Sequence, residues 1–364
     1  MALAIKVNGQ DLTFFQEAKV VKSLETLCGA FTFKSTANSD NLFPLRVNDS
    51  VEIIADGVTI LNGFIETLQV DYSASNHVIT VSGRDKLSDL IDSTVGETKE
   101  FIGNVTLINV ARRILDDLDL TSIEIINNAG DISPFEASEV TSAEIGQGAF
   151  TFLELFARKR QVILTSDEQS NLVLLRAGSE NAPLKLKNKR QSVDNNILSA
   201  NVSINNNQRY RSYIAQSQLN PRNLEAFFTA QDIAGQTGNA TDNDIRQSRI
   251  YEFNSEESDT IESLNQRANW ESNIRRARSF NYSATVQGHT FNGQIIRPNQ
   301  IIQVLDEFCN IDAQLLIKNV EYAYSLSGGS VTKIVVTYKD AYTLQAEQDR
   351  RDAIRNNQGD GFYI

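Results

Sequence analysis

Two stretches of this 364-residue chain carry the same strand entry about 250 residues apart, and that duplication restricts the possible folds more than any other feature. "RVNDSVEIIADG" runs from Arg46 to Gly57, and "RPNQIIQVLDE" from Arg297 to Glu307. Superposed, Arg46 meets Arg297, Asn48 meets Asn299, Val51 meets Ile302, Ile53 meets Val304 and Asp56 meets Glu307. A second segment continues the match: Ile65 to Asp85 aligns without a gap onto Val320 to Asp340, with Glu66 on Glu321, Val81 on Val336 and Arg84 on Lys339. Turn, strand, loop, strand, hairpin and closing acidic residue follow in the same order in both. A repeat normally exists because its copies fill equivalent places in something symmetric. Two like units per chain would let three chains make a ring of six.

The repeats themselves read as antiparallel β-structure. "AFTFKST" alternates through Phe31 and Phe33, Asp56-Gly57 is a turn signal, and "NHVITVSGRD" is β-branched around Val78 to Val81. Between them the pattern changes. Leu107, Val110, Ala111, Ile114, Leu115 and Leu118 share one helix face, and so do Ala149, Phe152, Leu153 and Phe156. Val162–Leu164 and Leu172–Leu174 flank a polar turn as a hairpin. Strands resume near Asp194, "GQTGNATDND" (Gly235 to Asp244) reads as a loop, and "DTIESLNQRANWESNIRRARSF" reads as a helix opened by Asp259 and Glu262, with Ile261, Leu264 and Ala268 on one face.

The expected fold is therefore mainly β with α+β inserts: two duplicated antiparallel β-barrels plus smaller α+β domains. Its parts are a first barrel over 1–89, an α+β insert over 90–190 and a second β-rich insert with a polar loop over 191–258. A helix and second barrel follow over 259–344, then a charged C-terminal tail over 345–364.

Several function classes are disfavoured. The net charge is −12, against a nucleic-acid binder that works through a basic surface. An acidic wall does suit a channel past which nucleic acid slides, and ordinary solubility explains the charge equally well. Two cysteines, Cys28 and Cys309, supply neither a disulfide framework nor a CxxC site, which favours a reducing compartment. The N-terminus lacks the basic and apolar regions of a signal peptide, and no run of 18 apolar residues occurs, so no membrane insertion is expected.

Catalytic signatures are missing. His77 and His289 lack Cys or His partners at ligand spacing and read as loop-surface residues. No G-x-S-x-G elbow is present, and "GQGAF" at Gly146 lacks the rest of a phosphate loop. The carboxylates Asp116, Asp117 and Asp119, and Glu256, Glu257 and Asp259, read as helix ends and caps; a glycosidase needs two acids facing across a cleft. No catalytic, metal or cofactor residue is therefore assigned. Trp270, with Arg275 and Arg278 on the same helix, is a candidate interface group, since Trp beside Arg is typical of interface anchors; packing between helix and barrel is the alternative.

"RANWESNIRRARSFNYSATVQG", "IIRPNQIIQVLDE" and "LLIKNVEYAYSLSGGSVTKIVVTY" together resemble the C-terminal half of baseplate hub proteins of Mu-like contractile-tailed bacteriophages. "VSGRDKLSDLIDSTV" and "FTFLELFARKRQVILTSDEQSNLVL" are similar to two further marks of that family, in the same order. The resemblance spans Phe31 to about Tyr342. It implies a non-enzymatic structural protein: a homotrimer whose two tube-like barrels per subunit form a pseudo-sixfold ring. That ring would join the hexameric tail tube to the trimeric spike and surround the channel for the tape measure protein and then DNA, which passes without specific binding. Baseplate wedge proteins would be further partners. Assembly in the host bacterial cytoplasm and residence in the virion tail baseplate follow. A hub of a tailocin or type VI-like injection system would read the same way, and a cell-wall hydrolase using the carboxylate clusters is the rival from another class.

Overall fold

The computed structural model describes residues 3–13, 15–36, 45–73, 77–95, 105–135, 142–160, 162–178, 180–217, 236–255 and 261–339. The first repeat supplies β1 (Leu3–Val7), β2 (Gln10–Asp11), β3 (Phe15–Ser23), β4 (Ala30–Thr36), β5 (Ser50–Ala55), β6 (Val58–Tyr72) and β7 (His77–Asp85). Alternation dictates which side chains go inward: Leu3, Ile5, Phe31, Phe33, Val51, Ile53, Ile79 and Val81 are all buried.

The insert begins with α1 (Ser88–Asp92) and α2 (Leu107–Asp117). Thr106 caps α2, its side chain accepting a hydrogen bond from the Asn109 N–H at 3.2 Å. Then come β8 (Ile125–Asn128), α3 (Ala149–Lys159), β9 (Ile163–Ser166) and β10 (Leu172–Leu175). The helices bury the faces expected of them against a separate core, with Phe135 and Phe152 edge-on to Phe156 at 5.1 and 5.2 Å. β9 and β10 form the antiparallel hairpin, and β8 joins β10 in parallel.

β11 (Glu180–Asn181), β12 (Leu186–Asn188) and β13 (Ile197–Ile204) lead to a second small unit of β14 (Ser212–Gln216), β15 (Thr237–Thr241), β16 (Ile250–Asn254) and α4 (Ile261–Ser279). The second repeat follows as β17 (Phe280–Gln287), β18 (Thr290–Phe291), β19 (Gln294–Ile295), β20 (Gln300–Asp306), β21 (Ile311–Ser325) and β22 (Gly329–Tyr338).

Antiparallel structure dominates, as expected, but the two repeats do not stand apart. One fourteen-stranded sheet runs β13-β17-β22-β21-β3-β4-β7-β6-β5-β1-β2, with β20 attached to β21 and β11 and β12 attached to β20. A single apolar cluster holds residues of both repeats, from Leu3 to Val336. The sheet also ignores the boundaries expected at 190 and 258. β11 and β12 pair in parallel with β20, and β13 pairs antiparallel with β17, so both belong to the second repeat's sheet.

Other expectations fail locally. Within "GQTGNATDND", Thr237–Thr241 is a strand, although the string is polar. The reason is Gly238: a Cβ there would lie 2.1 Å from the Leu264 carbonyl carbon, so β15 touches the α4 backbone directly and the position must lack a side chain. Ile261 is exposed while Leu264 and Ala268 are buried, so the apolar face of α4 starts one turn later than its spacing suggests. The second half of the repeat is also displaced. Identical β-bulges at Ile65/Thr67 and Ile317/Asn319 put Ile65 on Ile317, not on Val320. Ungapped matching could not place a bulge, because the extra residue leaves the alternation readable in either register.

Candidate assembly interface

The twin strand entries share their backbone chemistry. Asn48 and Asn299 both adopt left-handed backbone, φ 71° and 72°, a conformation Asn tolerates better than most residues. Their N–H groups donate to the Ile65 and Ile317 carbonyls, each at 2.8 Å. Arg46 N–H donates to the Asp49 carboxylate at 2.7 Å and Arg297 N–H to the Gln300 side-chain carbonyl at 2.9 Å, the same turn closed by two different acceptors. Val51, Ile53, Ile302 and Val304 point into the core. Among the described residues Arg297 alone of the two arginines has an ion-pair partner, Glu168 of the insert.

The repeats meet where β3 pairs antiparallel with β21, Ala18 opposite Tyr324, Val20 opposite Tyr322 and Lys22 opposite Val320. Phe15 packs edge-on to Tyr324 at 5.7 Å, and Lys19 pairs with Glu321 at 2.8 Å. The β9–β10 turn sits across this junction and bonds to both sides. Lys22 Nζ donates to the Asp167 carbonyl at 2.6 Å, Ser166 Oγ to Asp85 Oδ2 at 2.6 Å, Asn62 Nδ2 to Gln169 Oε1 at 2.9 Å, and Arg297 to Glu168. Burial pulls the Lys22 ammonium below its ordinary value against the attraction of Glu168 and Asp85. Burial also pushes the Asp85 carboxyl up, opposed by bonds from Ser166 and the Gly29 and Leu87 N–H groups. Glu168 is pressed upward by burial, but the Arg297 bond and Lys22 leave it below its usual range. Such a dense polar cluster fixes one relative position of the parts it joins.

Among the described residues, each repeat keeps a long edge without a strand partner. β13 ends the large sheet, and β6 beyond Phe64 pairs only with β7. Both edges are apolar: Leu198, Val202 and Ile204 are 58, 38 and 52% exposed, and Val70 and Tyr72 are 52 and 79% exposed. Sequence reasoning missed these residues. Their alternation was visible, but alternation does not say whether the cover comes from the same chain.

The candidate group on α4 does not converge on one patch. Trp270 is half-buried with the Arg267 guanidinium 4.7 Å from its ring. Arg275 is bonded to Glu271 at 2.7 Å and stacked 4.1 Å over Tyr251. Arg278 is exposed at the helix end, its Nε 3.9 Å from Glu25. Two of the three thus pack within their own unit.

The sites weighed for chemistry are also dispersed. His289 is fully buried, not on a loop surface: its Nδ1 lies 3.1 Å from Thr332 Oγ1, and burial holds its pKa below 6.5. His77 is exposed on β7. Asp116, Asp117 and Asp119 sit in solvent at the end of α2. Glu256, Glu257, Asp259 and the segment 345–364 lie outside the described residues. Among the described residues no group of three or more His, Cys, Asp and Glu could hold a metal ion. No helix among them is long and apolar enough to cross a membrane. A concavity of about 440 Å³ lies along β13, lined by Asn188, Asp306, Phe308 and Cys309.

A wide antiparallel sheet made of two fused, like units is a fold shared with solved phage tail proteins. A 43 kDa tail protein of prophage MuSo2 from Shewanella oneidensis superposes with a TM-score of 0.80 at 24% identity, covering 94% of this chain and 100% of its own. A tail protein from Neisseria meningitidis gives 0.78 at 16%, covering 95% and 98%. An Escherichia coli component of the type VI secretion system, described as structurally similar to the T4 tail proteins gp27 and gp5, gives 0.57 at 10%, covering 93% and 78%. In sequence, residues 2–85 match the N-terminal domain of the Mu phage baseplate assembly protein GpP-like family, and 260–345 match the fourth domain of GpP. The baseplate hub protein gp44 of Escherichia phage Mu is 22% identical over 96% of this chain and 91% of its own. Over nearly its whole length the chain is thus similar to baseplate hub and tail proteins of Mu-like phages.

Proposed function

We propose that this chain is the hub of a contractile-tail baseplate, a homotrimer whose six sheet units form a pseudo-sixfold ring. One rim would receive the hexameric tail tube and the other the trimeric spike, with wedge proteins outside. The tape measure protein and then DNA would leave through the centre. The observation that supports this most is the β3–β21 junction: two like units stand side by side in one sheet, and among the described residues each leaves free the edge its twin has used. A head-to-tail contact of this type closes into a ring if its rotation permits. Three chains of two units need a sixth of a turn at each junction. Exposed apolar strand edges promote aggregation unless something covers them, so the closing contact would also keep the particle soluble.

In this reading the work is geometric and no reaction is catalysed. The net charge of −12 suits a lining that DNA passes without binding. Assembly would take place in the host cytoplasm, and the finished ring would reside in the virion tail. A hub of a tailocin or type VI-like particle is the second reading, favoured by the fold shared with the type VI component. The native mass of the purified chain, alone and with a trimeric spike, tests the proposal together with negative-stain electron microscopy. A threefold ring of six lobes around an open channel is expected; a monomer under both conditions would overturn it.

A further inference from the structure

We infer that the ring closes through a strand pair between copies, β13 of one chain against the free half of β6 in the next, with Val202 opposite Val70. This rests on the ring reading and goes beyond it by naming the strands, their register and the residues in contact.

The register follows from landmarks that both repeats share. β3 leaves its ladder with β4 at a bulge between Phe15 and Glu17, and β13 leaves its ladder with β17 at a bulge between Ile197 and Ser199. Phe15 therefore corresponds to Ile197, Ala18 to Ala200, Val20 to Val202 and Lys22 to Ile204. The bulges at Ile65/Thr67 and Ile317/Asn319 make Leu68 correspond to Val320, Val70 to Tyr322 and Tyr72 to Tyr324. The equal bonds from Asn48 and Asn299 to the Ile65 and Ile317 carbonyls fix the same alignment independently. Transferring the β3–β21 register then sets Ala200 opposite Tyr72, Val202 opposite Val70 and Ile204 opposite Leu68. Between them fall Asn201 opposite Asp71 and Ser203 opposite Gln69.

Side-chain chemistry was not used in that transfer, yet it agrees. Apolar residues meet apolar ones and polar residues meet polar ones throughout, whereas a slip by one residue would set Val202 against Asp71 or Gln69. Exposure agrees as well. Val20, Val320 and Tyr322, which face each other's strand within the chain, are 0, 0 and 1% exposed. Of their counterparts, Val202 and Val70 are 38 and 52% exposed and Leu68 is half-buried; farther along the strand Tyr72 is 79% exposed where its counterpart Tyr324 is half-buried. Among the described residues a cover is present at one junction and lacking at the other, and the piece that fits is a second copy of this chain.

The test is disulfide trapping between separately tagged chains that carry C28S and C309S throughout. One chain carries V202C; the other carries V70C or, as the register control, L68C. Residues directly opposite in an antiparallel pair lie about 4.5–5.5 Å apart at Cα, within the reach of a disulfide. Residues displaced by two positions lie roughly 7–8 Å apart. Under mild oxidation, V202C with V70C should give a covalent heterodimer on a non-reducing gel, at least about tenfold more than V202C with L68C. A threefold particle in which the L68C pair cross-links as well as or better than the V70C pair overturns this register and leaves the ring reading standing. Cross-linking of neither pair in a threefold particle overturns the strand pair itself. A chain that stays monomeric with and without the spike removes both readings.

Discussion

Val20 and Val202 occupy corresponding positions in the two repeats, so one substitution made at both separates folding from assembly. Val20 is fully buried at the junction inside the chain. A carboxylate placed there loses the valine packing and must be buried without a partner, at a cost of several kcal/mol. That is a large part of the roughly 5–15 kcal/mol by which a domain is stable. Val202 is 38% exposed in the single chain, and Val202→Asp should leave unfolding unchanged to within about 0.5 kcal/mol. Assembly is where it should act. The exposed parts of Val70, Tyr72, Val202 and Ile204 amount to about two whole side chains, worth roughly 3–6 kcal/mol per junction at about 1.5–3 kcal/mol each. A carboxylate opposite Val70 should cancel about 3 kcal/mol of this, on the order of a hundredfold in the association constant of each junction. Urea denaturation measures the first quantity, and sedimentation equilibrium over a concentration series the second. Val20→Asp should unfold at a lower urea concentration, and Val202→Asp should give a normally folded chain that no longer trimerises. A Val202→Asp trimer with unchanged dissociation, or a Val20→Asp chain with an unchanged midpoint, would refute the reasoning.

Two further outcomes concern stability. Arg209 and Asp242 form a buried bidentate pair at 2.9 and 3.0 Å, and Asp242→Ala should cost about 3 kcal/mol, the low end for a broken buried pair because Asp244 still reaches the guanidinium at 3.1 Å. Trp270, the chain's single tryptophan, lies on the helix packed over this unit, so its fluorescence in urea reads the loss; a loss below about 1 kcal/mol would show the pair to be dispensable. The second concerns pH. Burial holds the His289 pKa below 6.5, with Asp56 acting in the opposite direction. Above 6.5 the residue is neutral folded or unfolded; as pH falls through 6.5 the unfolded chain takes the proton first, and stability declines until the folded pKa is reached. Unfolding free energies at roughly pH 7.5 and 5.5 should therefore differ less in His289→Asn than in the parent chain, and equal differences would exclude His289 as the source.

The amphipathic helices and the alternating strands could be read from periodicity, because each buries a single face and burial imprints the pattern. Val51, Ile53, Ile302 and Val304 were recognisable for that reason. The registers were not. A bulge adds a residue without disturbing the apolar alternation on either side, so Ile65 could be laid on Val320 or Ile317 with similar agreement. Thr237–Thr241 was hidden by a different cause: Gly238 answers to the approach of a helix backbone, and a polar, glycine-containing string looks like a loop. The apolar edges were the least accessible. Val70 and Val81 read alike as strand residues, yet Val81 is fully buried within its own chain and Val70 is half in solvent. That difference depends on where the neighbouring strand comes from, which local sequence does not encode.

The polar clamp gives a reason for two units to be written in one chain. At the β3–β21 junction the β9–β10 turn ties Asp85 and Asn62 of the first repeat to Arg297 of the second, through Ser166, Gln169 and Glu168. The proposed junction between chains has no counterpart to that turn among the described residues, because the insert enters once per chain and is used at the inner junction. A ring built this way has strong and weak seams in alternation, three clamped within chains and three held by strand pairing alone. Six separate single-unit chains would have six equal seams and sixfold symmetry throughout. In the proposed ring, alternation would lower the symmetry to threefold at the inserts while the strand rim stayed close to sixfold, the mismatch that the proposed hub would bridge between tube and spike. If that account is right, removing the clamp with Arg297→Ala and Asn62→Ala together should loosen the inner seam toward the outer one. Hydrogen exchange would show it as faster exchange in β3 and β21 of the assembled ring, with β6 and β13 unchanged; equal protection in parent and variant would mean that the clamp does not set the difference.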